Sequence, residues 1–250
     1  DYGPLGVQLK RNIMNLWWKM FVQDREDMYG VDAAILMNQK VWQASGHVDT
    51  FTDPLVVCEE CLSRFREDKI DTSKPCEACK KGPHFSKPEK FNMMLKTVVG
   101  PKYTSWERKK SGGLHGEIYF QNDNGTDERV WNIADPDREL GGVMIYDSAS
   151  VSYLRPETAQ GIFTNFKNVV DTIYPDVPFG IAQQGKAFRN EISPRDFVFR
   201  SREFEQMEIE YFVRPEQWEE AFEMWRVQIH EWFKALGLDE SKTHELEVEA

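Results

Sequence analysis

Long apolar stretches are missing from these 250 residues. No run approaches the roughly 20 consecutive apolar positions a helix needs to cross a bilayer, so no membrane role is expected. The opening residues, DYGPLGVQLKRN, lack the basic, apolar and small-residue regions of a secretory leader, and a cytoplasmic protein is expected. The chain opens without Met and in mid-phrase, and reads as a piece of a longer protein. Positive charge is also in short supply: 31 Lys and Arg stand against 42 Asp and Glu, a formal net charge of −11. That sign excludes a protein coated in nucleic acid, so any such contact must come from a local patch. Repeats and low-complexity tracts are absent. An apolar content of 40% with 13% aromatic residues excludes disorder and supplies a sizeable core.

Cysteine is scarce and fully committed. The four residues form two pairs, Cys58-Glu-Glu-Cys61 and Cys76-Glu-Ala-Cys79, with 14 residues between the pairs. Each turn offers two sulfurs about one tetrahedral edge apart, and the loop lets the second turn fold onto the first. This is the spacing of a four-thiolate zinc site. Disulfides or free thiols are the alternative, and the missing leader argues against disulfides. Four protein ligands leave no open coordination position, so the zinc is expected to be structural. His84 could replace one sulfur, but a solvated loop histidine is the plainer reading.

What is present elsewhere is mostly periodic. Leu5, Leu9, Ile13, Leu16, Trp17, Met20 and Phe21 predict an amphipathic helix over 4–22 with Pro4 near its start, facing a core or a second subunit. Residues 31–57 and 90–100 read as strands. Ile162, Phe163, Phe166, Val169, Val170 and Ile173 predict a helix within 154–174, with Pro156-Glu157-Thr158 as the turn before it. From Pro215 a stripe of Trp218, Phe222, Trp225, Ile229, Trp232, Phe233 and Leu236 predicts a core-facing helix stopped by Gly237. The polar, Gly-rich stretch 101–148 reads as an insertion, with a hairpin as a candidate form. The boundaries that result are a first core part at 1–57, a zinc knuckle at 58–84, a core strand at 85–100, the insertion at 101–148, and further core at 149–250.

The densest chemistry lies in GKAFRNEISPRDFVFRSREFEQMEIEYF, residues 185–212. Two alternating segments flank the turn formers Ser193, Pro194 and Asp196, which predicts a long antiparallel hairpin with a basic loop. If Arg189, Glu191, Phe204 and Glu208 share a face, that face combines an anion clamp, an acceptor, an aromatic platform and an ammonium acceptor. An exposed sheet with cross-strand ion pairs, worth roughly 0.2–1 kcal/mol each, explains the same pattern without a ligand.

Phe188-Arg189-Asn190-Glu191, a loop and Arg202-Glu203-Phe204 resemble the second signature motif of class II aminoacyl-tRNA synthetases. With DYGPLGVQLKRNI, LWWKMFV, VWQASGHVDTFTDP, YLRPETAQGIFTNF and REFEQMEIEYF in that order, the chain resembles the dimeric glycyl-tRNA synthetases from residue 1 to about 213, interrupted near 101–148. The resemblance implies an α+β fold, an antiparallel sheet flanked by helices with a small zinc-binding insertion. It implies ligation of glycine to tRNA(Gly) through a glycyl-adenylate, with Mg2+ entering on ATP, structural Zn2+, and a homodimer. The implied catalytic residue is Arg189, on the α-phosphate and the glycine carboxylate. Glu191 would accept from the adenine amino group, Phe204 would stack on adenine, and Arg200 would hold the terminal phosphate. Asn190, Phe199, Ser201, Arg202 and Glu203 complete the implied ATP stretch. Glu157 and Glu208 would hold the glycine ammonium, with Phe204, Glu205, Gln206, Met207 and Arg66 also assigned to glycine and Arg64 a rival to Arg66. The family's third motif and its anticodon-binding domain are not found, so the chain reads as the front part of a catalytic domain. The competing expectations are a catalytically inactive synthetase-like accessory subunit and a zinc-ribbon nucleic-acid binder; Glu59, Glu60 and Glu77 make a poor phosphate surface for the latter.

Overall fold

The computed structural model describes residues 1–99 and 151–246, and between them the backbone of four strands. The loops expected in the 101–148 insertion lie outside the described residues. In chain order the elements are α1 (Pro4–Trp18), continued by a wider turn at Lys19–Gln23, then β1 (Met28–Gly30), β2 (Leu36–Met37), α2 (Gln39–Ala44), α3 (His47–Thr50), β3 (Thr52–Val57), β4 (Arg64–Arg66), β5 (Glu89–Asn92) and β6 (Lys96–Val98). There follow β7 (Tyr103–Thr104), β8 (Gly116–Gln121), β9 (Asp127–Ile133), β10 (Ile145–Tyr146), β11 (Val151–Leu154), α4 (Ala159–Ile173), β12 (Phe179–Phe188), β13 (Glu203–Phe212) and α5 (Trp218–Ala235). The fold is α+β. Two compact units divide it: Asp1–Lys96 with Tyr153–Ala250, and Thr97–Ser152. In the smaller unit β8 and β9 form an antiparallel pair with a register shift at Ile118/Tyr119, and β7 pairs antiparallel with β10.

The larger unit is built on the sheet β1-β12-β13. β12 and β13 pair antiparallel over their full length, Phe179 opposite Phe212 through Phe188 opposite Glu203. The sheet is not wholly antiparallel, as the sequence led one to expect, because β1 joins the other edge of β12 in parallel, Met28 opposite Gly180. A parallel neighbour needs a distant segment, and a hairpin pattern is silent about distant segments.

Each face of this sheet has its own core. On one, Trp17, Phe21 and Val22 from the end of the first helix meet Met28 and Ala182, with Met207, Ile209 and Tyr211 packed beside them. On the other, Ile162 and Val169 of α4 meet Phe179 and Ile181, with Phe166 and Phe212 against them. Tyr211 ties β13 to the start of β1: its hydroxyl donates to Asp27 Oδ2 at 2.6 Å, and Arg25 holds the same carboxylate from the other side at 2.7 Å.

Both aromatic helices bury less than their stripes predict. Leu5 and Leu9 of α1 are 87% and 61% exposed, and burial begins only at Trp17. In α5, Trp225 and Trp232 pack on Phe21 with ring centroids 5.7 and 6.1 Å away, whereas Trp218 and Phe222 stay exposed. Periodicity identifies the apolar face of a helix; it does not say how much of that face finds a partner.

Of the strands expected across 31–57, β2 and β3 form, and two short helices, α2 and α3, stand between them. Asn38 caps α2 by accepting from the backbone N–H of Lys40 at 3.0 Å, and Trp42 is fully buried against Met94 and Tyr153. Gly46, at φ +79°, turns the chain into α3, so only Thr52–Val57 is extended for any length. The strand expected over 90–100 breaks at Met93 and Met94, both buried, where the Asn92 side chain accepts from the Met94 N–H at 2.7 Å.

Gly161 in α4 gives a test of packing against propensity. A Cβ there would lie 2.7 Å from Ala33 Cβ and 2.8 Å from Gln183 Oε1. Helix propensity alone favours Gly161→Ala by about 1 kcal/mol, but overpacking of this kind costs about 1–3 kcal/mol. We expect a net loss of stability, read as a lower urea midpoint; a raised midpoint would show that the contact relaxes freely.

Candidate functional site

The cysteine pairs sit on two similar turns. After β3, Leu62 N–H donates to the carbonyl of Cys58 at 2.8 Å, and Lys80 N–H donates likewise to Cys76. Leu62 and Lys80 each take a positive φ, 58° and 59°, which closes both turns the same way. Cys58 and Cys76 are buried, Cys61 and Cys79 partly exposed. The Cys58–Cys79 sulfurs are 3.9 Å apart, the Cys61–Cys76 sulfurs 3.8 Å, and all four lie within 4.8 Å of one another. A tetrahedral zinc with bonds of about 2.3 Å has edges of about 3.8 Å, so the donor set fits that ion. Hydrogen bonding to Ser63 pulls the Cys61 thiol down to about 6. A backbone bond from Lys81 acts downward on Cys79, but burial and the other three sulfurs outweigh it and push that thiol up to about 11. Such crowding is what a divalent cation relieves. His84 is exposed and not part of the group.

The second constellation forms at the loop end of the β12–β13 hairpin. Ala187 stands opposite Phe204, which puts Arg189, two residues on, beside the Phe204 ring. The Arg189 guanidinium lies 5.3 Å from the centre of Phe204 and 5.5 Å from that of Phe51, between two rings. Its Nε donates to the carbonyl of Pro156 at 3.1 Å. In the loop, Arg200 Nε meets Glu191 Oε2 at 2.8 Å, and Arg202 Nε donates to the Glu191 carbonyl at 3.1 Å. Arg66 reaches this neighbourhood from β4, paired with Asp53 at 2.8 Å and Asp68 at 2.9 Å, and the negative charge of Glu191 acts on it as well. A cleft of about 720 Å³ opens here. Arg189, Glu191, Phe199, Arg200, Ser201 and Phe204 line it, as do Glu205, Met207 and, from α1, Lys10 and Met14.

Beyond Phe204 the same face of β13 carries Gln206, Glu208 and Glu210. The Thr158 hydroxyl at the start of α4 donates to Glu208 Oε2. Burial first, then the charges of Glu208 and Glu157, raise the Glu210 carboxyl above its ordinary range. The Gln206 Oε1 atom is buried and accepts from nothing among the described residues. The surface between α4 and β13 is thus rich in acceptors. In the free protein the burial of a charge at Glu210, and then its repulsion by Glu208 and Glu157, cost stability, so Glu210→Gln should raise the melting temperature at neutral pH. About 2–4 °C is expected per kcal/mol relieved in a domain of this size. The sign follows from linkage: an acid whose folded pKa is raised loses stability as pH climbs through that value, so the gain should vanish at acidic pH. A gain that persists at acidic pH would contradict the buried charge of Glu210 as its cause.

The expected members do not all share one face of the hairpin. Glu205 and Met207 point to the opposite face of β13, where Glu205 pairs with Lys10 of α1 and Met207 packs in the aromatic core. The period of two in a strand puts them there, so they do not share a pocket with Glu208. Glu203 pairs with Lys186 on the surface. Asn190 is held through its backbone N–H, which donates to the carbonyl of Met93 at 2.8 Å, and its side chain is not part of the cleft. Arg64 is exposed, which favours Arg66 over its rival.

Sequence reasoning also passed over residues the structure brings in. Arg155, 2% exposed, donates through Nε to the carbonyl of Lys186 at 2.7 Å and through an η nitrogen to that of Ala33 at 2.6 Å; burial lowers its pKa. It fixes the Pro156-Glu157-Thr158 turn against β12. Phe51 had no signal beyond its apolar type, but Glu210 lay one strand period past Glu208 and could have been found.

Residues 145–249 match the model of the tRNA synthetase class II core domain (G, H, P, S and T). A curated glycine–tRNA ligase of Borreliella burgdorferi (strain ZS7) is 46% identical over 226 residues, 90% of this chain and 41% of that protein. Those of Treponema denticola and Thermobifida fusca are 41% and 39% identical, covering 97% and 96% of this chain and 45% and 46% of their own lengths. The chain spans less than half the length of these curated relatives.

Proposed function

The chain belongs to the glycyl-tRNA synthetase family, and from that premise we propose that its larger unit activates glycine with ATP and Mg2+ as the first half of tRNA(Gly) charging. The observation that carries this reading is the setting of Arg189. One guanidinium lies on an aromatic platform, is braced by the Pro156 carbonyl next to Glu157, and faces an open cleft.

In this reading the adenine stacks on Phe204, and the free edge of Arg189 grips the α-phosphate and the glycine carboxylate. A glycine carboxylate oxygen attacks the α-phosphorus as the bond to the bridging oxygen breaks, and pyrophosphate leaves. Arg189 offsets the charge that gathers on the phosphoryl oxygens at that moment. Arg200 takes the terminal phosphate and must leave Glu191 to do so, which frees Glu191 to accept from the adenine amino group. Mg2+ enters as part of the nucleotide substrate. Glu157 and Glu208 take the glycine ammonium, and the surrounding acceptors favour a cation there. Glycine has no side chain to recognise, so selectivity comes from denying space to larger ones. Arg66 and Arg202 support the pocket wall, Asn190 anchors the loop behind it through its backbone, and Cys58, Cys61, Cys76 and Cys79 hold a structural zinc. A homodimer in the cytoplasm, with tRNA(Gly) receiving the glycyl group, completes the proposal.

Exchange of labelled pyrophosphate into ATP tests it. Exchange that depends on glycine and is not supported by alanine or serine is expected. Exchange driven by alanine or serine, or none with glycine in folded zinc-loaded protein, would contradict it.

A further inference from the structure

His47 lies outside every role assigned so far, yet it touches the proposed ammonium site. Its ring, in α3, is wedged between Trp42 and Phe51, with centroids 5.6 and 5.4 Å away. Nδ1 is 2.8 Å from Ser45 Oγ, and Nε2 is 3.3 Å from Glu157 Oε1. Phe51, on the far side of the ring, is one of the two rings that hold Arg189. The short segment Ser45–Phe51 therefore contacts both halves of the site, the carboxylate through His47 and the guanidinium through Phe51.

The polar contacts fix where the imidazole proton must be. Nε2 lies within ion-pair distance of the Glu157 carboxylate, whose oxygens repel a ring lone pair, so Nε2 is the nitrogen expected to carry hydrogen. In the neutral ring Nδ1 is then the acceptor, and the Ser45 hydroxyl donates to it. Ser45 Oγ has the Trp42 carbonyl as an alternative acceptor, but at 3.3 Å, longer than the 2.8 Å contact to Nδ1. The side chain of His47 is only 12% exposed, against 26% for Glu157, so the imidazole backs the carboxylate from the protein side.

We propose that His47 is a positioning residue for the amino-acid half of the site: its Nε2–H, oriented by Ser45, holds the Glu157 carboxylate in place to receive the substrate ammonium. This rests on the glycine-activation reading. Because a neutral imidazole N–H leaves Glu157 its negative charge, His47 orients the carboxylate by close contact without neutralising it. The consequence is a selective one: the contact matters to a ligand that bears an ammonium and not to one that lacks it.

Two probes separate these cases, the non-hydrolysable glycyl-sulfamoyl-adenosine and its acetyl counterpart, identical except for the missing amino group. His47→Phe keeps a ring between Trp42 and Phe51 and removes the donor. It should weaken the glycyl probe about tenfold, equivalent to about 1.4 kcal/mol, and leave the acetyl probe unchanged. His47→Gln restores a side-chain N–H near the Nε2 position and should recover most of the loss. Equal weakening of both probes would overturn the proposal in favour of a purely structural ring, and so would unchanged binding of the glycyl probe. Wild-type protein that binds neither probe would instead overturn the activation reading beneath it. Imidazole nitrogen NMR of the ligand-free chain supplies an independent check: a proton on Nε2 is expected, and a bare Nε2 would overturn the assignment whatever the probes do.

Discussion

Arg189→Ala is expected to weaken binding of a glycyl-adenylate analogue by at least about a hundredfold, the largest single-residue effect on the site. The side chain is placed to make charge-assisted, fork-shaped bonds to two anionic groups of the same ligand. Each such bond is worth about 1.5–3 kcal/mol, and about 1.4 kcal/mol is a tenfold change. Arg189 also braces the turn before Glu157 through the Pro156 carbonyl, so part of the loss could come from a loosened turn. Arg189→Lys separates the two contributions. It keeps the positive charge but loses the fork, the planar stack on Phe204 and the Nε bond to Pro156. Calorimetry should therefore find Arg189→Lys only partly restored, while thermal melts of both variants stay within a few degrees of wild type. A lysine variant with full affinity would mean that charge alone holds the phosphate and that the sandwich between Phe204 and Phe51 is incidental.

The second large effect is expected at the cysteine cluster. Structural zinc sites in small domains contribute apparent binding energies of about 10–16 kcal/mol to local folding. Around this one the ordering contacts are modest: the short strands β3, β4 and β5, the Phe65–Phe85 ring contact, a Glu59–His84 backbone bond and the exposed Lys81–Glu60 ion pair. Cys76→Ser should reduce bound zinc from one per chain to nearly none. It should also abolish amide protection across residues 58–85 while leaving β12 and β13 protected. The site should feel the change at one remove, because Arg66 ends the strand that follows the first cysteine turn and feels the charge of Glu191. A modest loss of adenylate affinity is expected with the loss of zinc. A variant without zinc and with undiminished protection over 58–85 would show that the four thiols are close by packing and not by ligation.

How much of this was legible beforehand depends on the range of the interactions. The hairpin, its faces and the cysteine geometry could be read directly, because a period of two and a CxxC spacing are local rules. Phe204, Arg189 and Glu208 fall on one face of the sheet for that reason. Helix α4 and the stop at Gly237 were legible on the same grounds. The helical turns of 39–50 were not, since they depend on the Asn38 cap and on a pocket for Trp42 built from Met94 and Tyr153, more than 50 residues away. The pairing of Glu191 with Arg200 was also hidden: both residues had been assigned to the nucleotide, and in the free protein they hold each other. Nor could spacing show that Glu205 is spent on Lys10 of the first helix. The exposed Trp218 and Phe222 make the same point from the other side, for an apolar stripe does not name its partner.

Calorimetric titration of the zinc-loaded chain with glycyl-, alanyl- and seryl-sulfamoyl-adenosine tests the central claim most directly, because binding does not require turnover. The account predicts tight binding of the glycyl form, with the alanyl and seryl forms weaker by at least about tenfold for the added side-chain atoms. Glu208→Gln should weaken all three forms alike, because each carries the ammonium and the space for a side chain is unchanged. Equal affinity for all three forms, or no binding of the glycyl form by folded protein, would contradict it.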